Sequence, residues 1–233
     1  MLKAAIVAHH APRITLHAPP QYRFKAGQYL TVQHANGTEI PMSIASPPQS
    51  LPFLELQYKP TPGDSLSQAM DECLKHDHLN ITPATGSVTC PPSDESLVVV
   101  AGGSGVSLAF SCAQFRNNKP VTEVIWCVDR GEDLYATDEL SSFATLHGIV
   151  DATHGHANAG LQLLASLEKK DHYILSGSPG FVYAATDILL AVGVSPQCLQ
   201  SDVYDFAPRD TPLRNTGSEG CGNVGKPPTD CNK

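Results

Sequence analysis

The sequence has no cluster of basic residues and no long apolar run, and these absences exclude whole classes of function. Its formal net charge is −8 over 233 residues, which argues against nucleic acid as a partner. No apolar run is long enough to cross a bilayer. The N-terminal segment becomes polar at His9 and His10, too early for a signal peptide, so we expect none.

The cysteines likewise exclude more than they indicate. The seven are odd in number and scattered, and they contain no C-x-x-C pair. This pattern favours reduced thiols in a cytoplasmic protein, and it lacks the closely spaced run that ligates a plant-type iron–sulfur cluster. The histidine pairs at 76/78 and 154/156 are interpreted as solvated loops, so we expect no metal site.

A glycine-rich turn between a buried strand and a helix is the most informative local feature. The apolar run at 97–101 predicts a strand buried on both faces, and residues 107–115 have helical spacing. Between them lies Gly-Gly-Ser-Gly at 102–105, a turn that lets the backbone approach a pyrophosphate at a helix N-terminus. It matches neither Walker A, nor G-x-G-x-x-G, nor the G-x-S-x-G elbow, so a tight turn without a ligand stays an alternative here.

The chain divides into regions of different pattern. Residues 1–94 show short strands separated by Pro/Gly turns, with one helix at 65–76, and predict a small antiparallel β-barrel. Residues 95–209 alternate strands with helices and predict a doubly wound parallel sheet, with a helix at 138–146, a strand at 149–153 and a last strand at 202–206. Residues 210–233 are rich in Gly, Pro, Asn, Thr and Ser and predict a disordered tail.

Four short motifs occur in an order that is more specific than any one of them. They are F-K-A-G-Q-Y-L at 24–30, P-M-S-I-A-S at 41–46, A-G-G-S-G-V-S at 101–107 and D-R-G-E-D-L-Y at 129–135. Together they resemble the bacterial NAD(P)H–flavin reductases of the ferredoxin–NADP reductase superfamily, over residues 1 to about 209. The resemblance implies a flavin-binding-type barrel followed by an NAD(P)-binding domain. It also implies hydride transfer from NADH or NADPH to FAD or FMN.

The resemblance implies roles for individual residues. Ser43 is expected near flavin N5, and Ser104 stands where the family has threonine; these two hydroxyls are the expected catalytic groups. Tyr204 or Phe206 lies where relatives place an aromatic ring over the flavin, although core packing explains either one equally well. The expected cofactor-binding residues are Pro41, Met42, Ser43, Gln57, Tyr58, Lys59, Gly102, Gly103, Ser104, Gly105, Arg130, Gly177 and Phe206.

Two departures from the family pattern qualify this expectation. Ile40 stands where the flavin motif begins with Arg, so flavin is expected to bind weakly and to behave as a substrate. Ser176 occupies a position where many superfamily members have Cys. Arg130 could pair with the phosphate of NADPH, whereas Asp129 would favour a ribose diol, and the choice stays open. Two alternatives also remain: a degenerate member that binds nucleotide without flavin, and a reductase subunit that serves a partner oxygenase.

Overall fold

The structure is a computed structural model that describes residues 1–117 and 122–209. It contains a six-stranded antiparallel sheet followed in sequence by a five-stranded parallel sheet flanked by helices. The predicted fold class is therefore confirmed. The predicted disordered tail at 210–233 lies outside the described residues, and a domain boundary near residue 94 stays a prediction.

The antiparallel sheet curls so that its two edge strands meet. Its order is β4-β3-β6-β1-β2-β5, and a bridge between Ile44 and Leu56 joins the ends of the edge strands β4 and β5. Along strands such as Phe53–Gln57, the buried side chains line the interior of the barrel. The strands are β1 (Leu2–His10), β2 (Arg13–His17), β3 (Tyr29–Gln33), β4 (Glu39–Ser43), β5 (Phe53–Gln57) and β6 (His78–Ile81), and helix α1 (Ser65–Cys73) lies between β5 and β6.

The parallel sheet is covered by helices on both faces. Its order is β11-β10-β7-β8-β9, and the central strand β7 is fully buried from Leu97 to Ala101, as a strand covered on both faces requires. The strands are β7 (Leu97–Gly102), β8 (Thr122–Val128), β9 (Thr145–Val150), β10 (His172–Ser176) and β11 (Leu199–Gln200). One face packs against α2 (Val106–Arg116) and α3 (Thr137–Phe143), and the other packs against α4 (Ala159–Ser166) and α5 (Pro179–Ala191).

Three sequence-based assignments in this half are wrong. The predicted strand at 149–153 shares only Ile149 and Val150 with β9 (Thr145–Val150). The predicted strand at 202–206 is a one-turn helix, α6 (Val203–Phe206), and the last strand is instead the short β11. Five residues are too few for periodicity to separate a strand from a helical turn. The predicted helix at 138–146 ends at Phe143, and Thr145 already pairs with Glu123 of β8 as part of strand β9.

Polar contacts join the barrel to the parallel-sheet half. The guanidinium of Arg13 on β2 pairs with Glu139 on α3, and Ser111 on α2 donates to the carbonyl of Ser46 at 2.9 Å. These contacts hold the carboxyl edge of the parallel sheet against the barrel, so that ligands held by the two halves can meet.

In the part of the chain that the structure describes, no helix combines the length and the apolar character that crossing a membrane requires.

The state of the described cysteines agrees only partly with the sequence-based expectation. Cys73, Cys90, Cys112 and Cys127 are free thiols, as the sequence predicts. Cys198 is disulfide-bonded, so the expectation of reduced thiols is wrong for this residue.

Candidate functional site

Three glycines of the turn region are required by packing alone. A Cβ at Gly102 would lie 2.8 Å from the ring of Phe181, and one at Gly105 would lie 2.7 Å from the backbone of Ser176. Gly177 has a φ of +144°, and its Cβ would lie 3.2 Å from Gly102. The turn therefore packs closely against the end of β10. This close packing alone explains why glycine occupies these three positions, without a bound ligand.

Gly103 differs from the other three glycines because its side-chain direction is open. Its φ is +54°, and a Cβ there would meet nothing within 4 Å. The indole Nε1 of Trp126 on β8 donates to its carbonyl oxygen at 2.9 Å, which holds the turn in place. The turn is a 3₁₀ segment (Gly103–Gly105) that continues directly into α2, and the N–H of Val106 donates to the Gly103 carbonyl. Gly103 is thus the turn residue whose open space a phosphate could use.

A cavity of about 720 Å³ lies over the carboxyl ends of the parallel strands. We call it the sheet-side cavity. Its volume is within the usual range for small-molecule sites, and its place at the strand ends is where doubly wound sheets bind ligands. The residues that line it include Gly102, Gly103, Ser104, Asp129, Arg130, Asp133, Asp151, Asn158 and Phe181.

A second cavity, of about 690 Å³, lies against the barrel, and we call it the barrel-side cavity. Eleven of the thirteen residues expected from the sequence line it, and the other two, Gly103 and Arg130, line the sheet-side cavity. Gly105 was expected with the nucleotide, but it faces the barrel-side cavity instead. The eleven are Pro41, Met42, Ser43, Gln57, Tyr58, Lys59, Gly102, Ser104, Gly105, Gly177 and Phe206.

The two cavities share one wall, formed by Gln57, Lys59, Gly102, Ser104 and Ser178. Its members come from β5, from the glycine turn and from the N-cap of α5. The two cavities therefore adjoin at these residues, and ligands bound in them would lie next to each other.

Gln57 is the buried polar group of this shared wall. Its side chain is only 5% exposed, and its Oε1 accepts from Ser107 Oγ at 3.1 Å and from Tyr135 Oη at 2.9 Å. Its Nε2 has no partner among the described residues. A buried polar atom without a partner costs about 1–3 kcal/mol, so the wall has hydrogen-bonding capacity that a bound ring could satisfy.

The two serines expected to be catalytic carry free hydroxyls. Ser43 ends strand β4 and is half-buried, and Ser104 is exposed in the turn. Within residues 1–117 and 122–209, neither hydroxyl has a hydrogen-bond partner in the protein. A buried serine often bonds to its own backbone instead of a ligand, and Ser43 makes no such bond here.

Tyr58 and Lys59 line the barrel-side cavity, and their polar groups already have partners in the protein. The Tyr58 hydroxyl donates to Asp71 Oδ1 and contacts the Ser67 carbonyl, both at 2.8 Å, and burial raises the pKa of Tyr58 to about 12. The ammonium of Lys59 pairs with Asp133. The ring of Tyr58 and the stem of Lys59 remain to contact a ligand.

The charged groups of the barrel-side cavity are mainly acidic. Glu39, Asp64 and Asp202 line it, and its one lining cation, Lys59, is engaged as described. Ile40, at the position of the expected Arg, is 6% exposed and also lines it. Burial raises the pKa of Asp202. The residues fit an uncharged ring system held through Gln57 and Ser43, and they do not fit a phosphate.

Arg130 has acidic partners in the sheet-side cavity. Its guanidinium lies 3.0 Å from Glu132 and 3.4 Å from Asp133, and Asp133 also pairs with Lys59. The two cations that line this cavity among the described residues, Arg130 and Lys59, are therefore already paired with carboxylates. Asp151, another lining residue, caps the start of α4 by accepting from the N–H of Ala159 at 2.7 Å.

The two C-terminal aromatics have different positions. Phe206 is 64% exposed and lines the barrel-side cavity. Tyr204 packs on the parallel-sheet core, and its hydroxyl shares a hydrogen bond of 2.7 Å with Thr186. The core-packing alternative thus describes Tyr204, while Phe206 lies where a ring ligand could be covered.

Several lining residues were not identified from the sequence. Ser107 and Tyr135 hold Gln57 although they are 50 and 78 residues away from it, and no local pattern signals such a contact. Asp151 was missed because the predicted strand at 149–153 contains it, whereas β9 ends at Val150 and Asp151 directly follows it at the carboxyl edge of the sheet. No group of His, Cys, Asp or Glu in the described part of the chain is arranged to hold a metal ion.

Comparison with known proteins finds oxygenase reductase components and flavin reductases. No protein-family model matches the chain. It is 25% identical over 215 residues to terephthalate 1,2-dioxygenase reductase component 1 of a Comamonas species, covering 84% of this chain and 64% of that protein. It is 32% identical over 145 residues to an NAD(P)H-flavin reductase of Aliivibrio fischeri, covering 58% and 61%. The chain thus spans about three fifths of the length of these curated relatives.

The solved structures agree on the fold. A ferredoxin–NADP⁺ reductase from Neisseria gonorrhoeae, solved with bound FAD and NADP, superposes with a TM-score of 0.68 at 20% identity. The match covers 86% of this chain and 97% of that one. The strand order and this superposition show that the chain has the fold of a ferredoxin–NADP⁺ reductase, and the curated proteins that it resembles are a flavin reductase and an oxygenase reductase component.

Proposed function

We propose that this protein is an NAD(P)H:flavin oxidoreductase that takes flavin as a weakly bound substrate. The observation that carries the proposal is the wall shared by the two cavities. A reaction between two ring systems needs both rings in contact and correctly oriented. The relative named NAD(P)H-flavin reductase supports the same reaction.

Residues of the two cavities would bind different ligands. The turn residues Gly102, Gly103 and Ser104 would hold the dinucleotide pyrophosphate in the sheet-side cavity. Gln57 and Ser43 would orient the flavin ring from the barrel side, and Phe206 would shield it. Bound flavin supplies the hydride acceptor, its N5. Ser43, with a free hydroxyl, would donate a hydrogen bond to the acceptor edge of the ring.

Weak flavin binding follows from the charges around the barrel-side cavity. Flavin nucleotides carry phosphate, and a free cation binds phosphate well. Here Ile40 is uncharged, Lys59 is paired with Asp133, and Glu39 and Asp202 add carboxylates. We therefore expect the protein to lose flavin during purification and to accept added flavin reversibly.

NADH is the nucleotide that the sheet-side cavity favours. A 2′-phosphate needs an available cation, and Arg130 is held by Glu132 and Asp133. Asp129 directly follows β8, and there it would accept hydrogen bonds from a ribose diol. We expect kcat/KM for NADH to exceed that for NADPH at least roughly tenfold, a difference of about 1.4 kcal/mol. Arg130→Ala should leave the NADH value unchanged.

The purified protein tests the proposal directly. Its visible absorption after dialysis reports bound flavin, and the loss of NADH absorbance is then followed with and without added flavin. We expect a colourless protein that oxidises NADH only when flavin is added. No oxidation with saturating flavin would refute the reductase and favour a nucleotide-binding protein without flavin chemistry.

A reductase component that serves a partner oxygenase is the second candidate. The relative that matches 84% of this chain is such a component by name. A stoichiometric flavin that resists dialysis would favour this candidate, because a resident cofactor must stay bound between electron transfers.

A further inference from the structure

Two cysteines lie together outside both cavities. Cys90 belongs to the segment that joins the two sheets, and its Sγ lies 3.8 Å from the backbone carbonyl of Cys112 on α2. Cys112 is completely buried, and the half-buried Cys90 packs against the same apolar cluster. Neither residue lines either cavity, so the proposed reductase chemistry does not use them.

Arg116 fixes this arrangement and supplies its positive charge. Its guanidinium donates to the carbonyl of Pro91 at 3.0 Å and to Thr122 Oγ1 at 2.9 Å. The segment that carries Cys90 is thereby tied to the helix that carries Cys112. The Cys90 backbone N–H donates to the carbonyl of Ala26 at 3.1 Å, which holds the segment from the barrel side as well.

The two thiols have different acidities. A hydrogen bond from Cys112 and the charge of Arg116 lower the pKa of Cys90, although burial opposes them. The interaction with Cys90 and complete burial raise the pKa of Cys112 well above its ordinary value. Cys90 is thus the more acidic of the two thiols. An acidic thiol beside a second thiol is the arrangement that oxidation to a disulfide needs.

We propose that Cys90 and Cys112 form a dithiol site that reduces hydroperoxides and closes to a disulfide. The Cys90 thiolate attacks the peroxide, the O–O bond breaks, and one proton from solvent yields an alcohol or water together with Cys90 sulfenic acid. Cys112 sulfur then attacks the sulfenic sulfur, and its proton leaves with the hydroxyl as water. The two thiols supply the two electrons that reduce the peroxide.

The proposed function provides a source of this oxidant. Released reduced flavin reacts with oxygen to give hydrogen peroxide, so that source rests on the proposed reductase activity. The thiol chemistry itself does not, because added peroxide replaces the source. Failure of one proposal therefore leaves the other testable.

Peptide mapping of the whole protein tests the site. Pre-reduced protein is treated with one equivalent of hydrogen peroxide, alkylated, and digested with trypsin and Glu-C. Cleavage after Lys75, Glu95 and Arg116 places Cys90 in peptide 76–95 and Cys112 in peptide 96–116. We expect these two peptides to be joined by a disulfide that a reductant releases. Oxidation of other cysteines while both peptides stay alkylated would overturn the proposal.

Three variants assign the roles of the two thiols. Cys112→Ser should leave a sulfenic acid on Cys90 that a dimedone probe traps, and Cys90→Ser should leave Cys112 unreacted. Cys73→Ser is the matched control, because Cys73 is a buried free thiol whose pKa burial raises; it should behave like the unmodified protein. Rapid oxidation of Cys112 in Cys90→Ser would contradict the assigned order. The cross-link in the unmodified protein does not depend on any variant folding.

Discussion

Gly103→Asn is the substitution that most directly tests the phosphate role of the glycine turn. Gly103 has a φ of +54° and open space in its side-chain direction, and it lines the sheet-side cavity. Asparagine is chosen because it tolerates a left-handed backbone better than most residues. Its side chain would occupy the space that a pyrophosphate needs.

The structure allows the two consequences of this change to be separated. The backbone cost of a side chain at positive φ is about 1 kcal/mol, which lowers the melting temperature by only a few degrees. The loss of one charge-assisted hydrogen bond to phosphate costs about 1.5–3 kcal/mol. At about 1.4 kcal/mol per factor of ten, the KM for NADH should rise at least roughly tenfold.

Gly37→Asn is the matched control. Gly37 has a φ of +89°, and its Cβ also would meet nothing within 4 Å, but it lies in the turn between β3 and β4 and lines neither cavity. The KM for NADH at saturating flavin and the melting temperature are measured for both variants. Both should lose similar stability, and only Gly103→Asn should lose nucleotide affinity. Equal KM values in the two variants would show that the turn serves folding alone.

Three further predictions concern the hydroxyl, the missing cation and pH. Ser43→Ala should lower the rate of flavin reduction in stopped-flow by roughly ten- to a hundredfold while NADH binding and melting temperature are kept; an unchanged rate would remove Ser43 from the catalytic groups. Ile40→Arg should lower the KM for FMN more than the KM for riboflavin, which lacks the phosphate. Any loss of barrel packing affects both KM values and cancels in their ratio; equal changes in the two would mean that the phosphate binds elsewhere. Hydrogen bonds from the Ser96 hydroxyl and N–H, at 2.6 and 2.8 Å, hold the pKa of Asp171 below its ordinary value. The stabilisation from these hydrogen bonds is thus present at neutral pH and lost as the pH falls below the ordinary carboxyl range. Asp171→Asn should therefore lower the melting temperature more at neutral pH than at about pH 3. A difference in melting temperature that does not change with pH would contradict this reasoning.

The sequence predicted the elements whose signals are local. The buried strand β7, the glycine turn and helix α2 appear where the apolar run, the glycines and the helical spacing place them. Strand β1 was missed, because alanines supply half of its alternation and its stability comes from pairing with both β2 and β6. The one-turn helix α6 was misassigned because a segment so short has no resolvable period.

What the sequence by itself determined is therefore the fold class, the elements around the glycine turn and the candidate residues, since hydrophobic period and turn chemistry act between near neighbours. Only the tertiary structure decided how these residues are used. It brought Ser107 and Tyr135 onto Gln57, set Cys90 beside Cys112, and paired Arg130 with Glu132 and Asp133. These contacts join side chains from separate elements, and their energies depend on distance and burial, which no local pattern encodes.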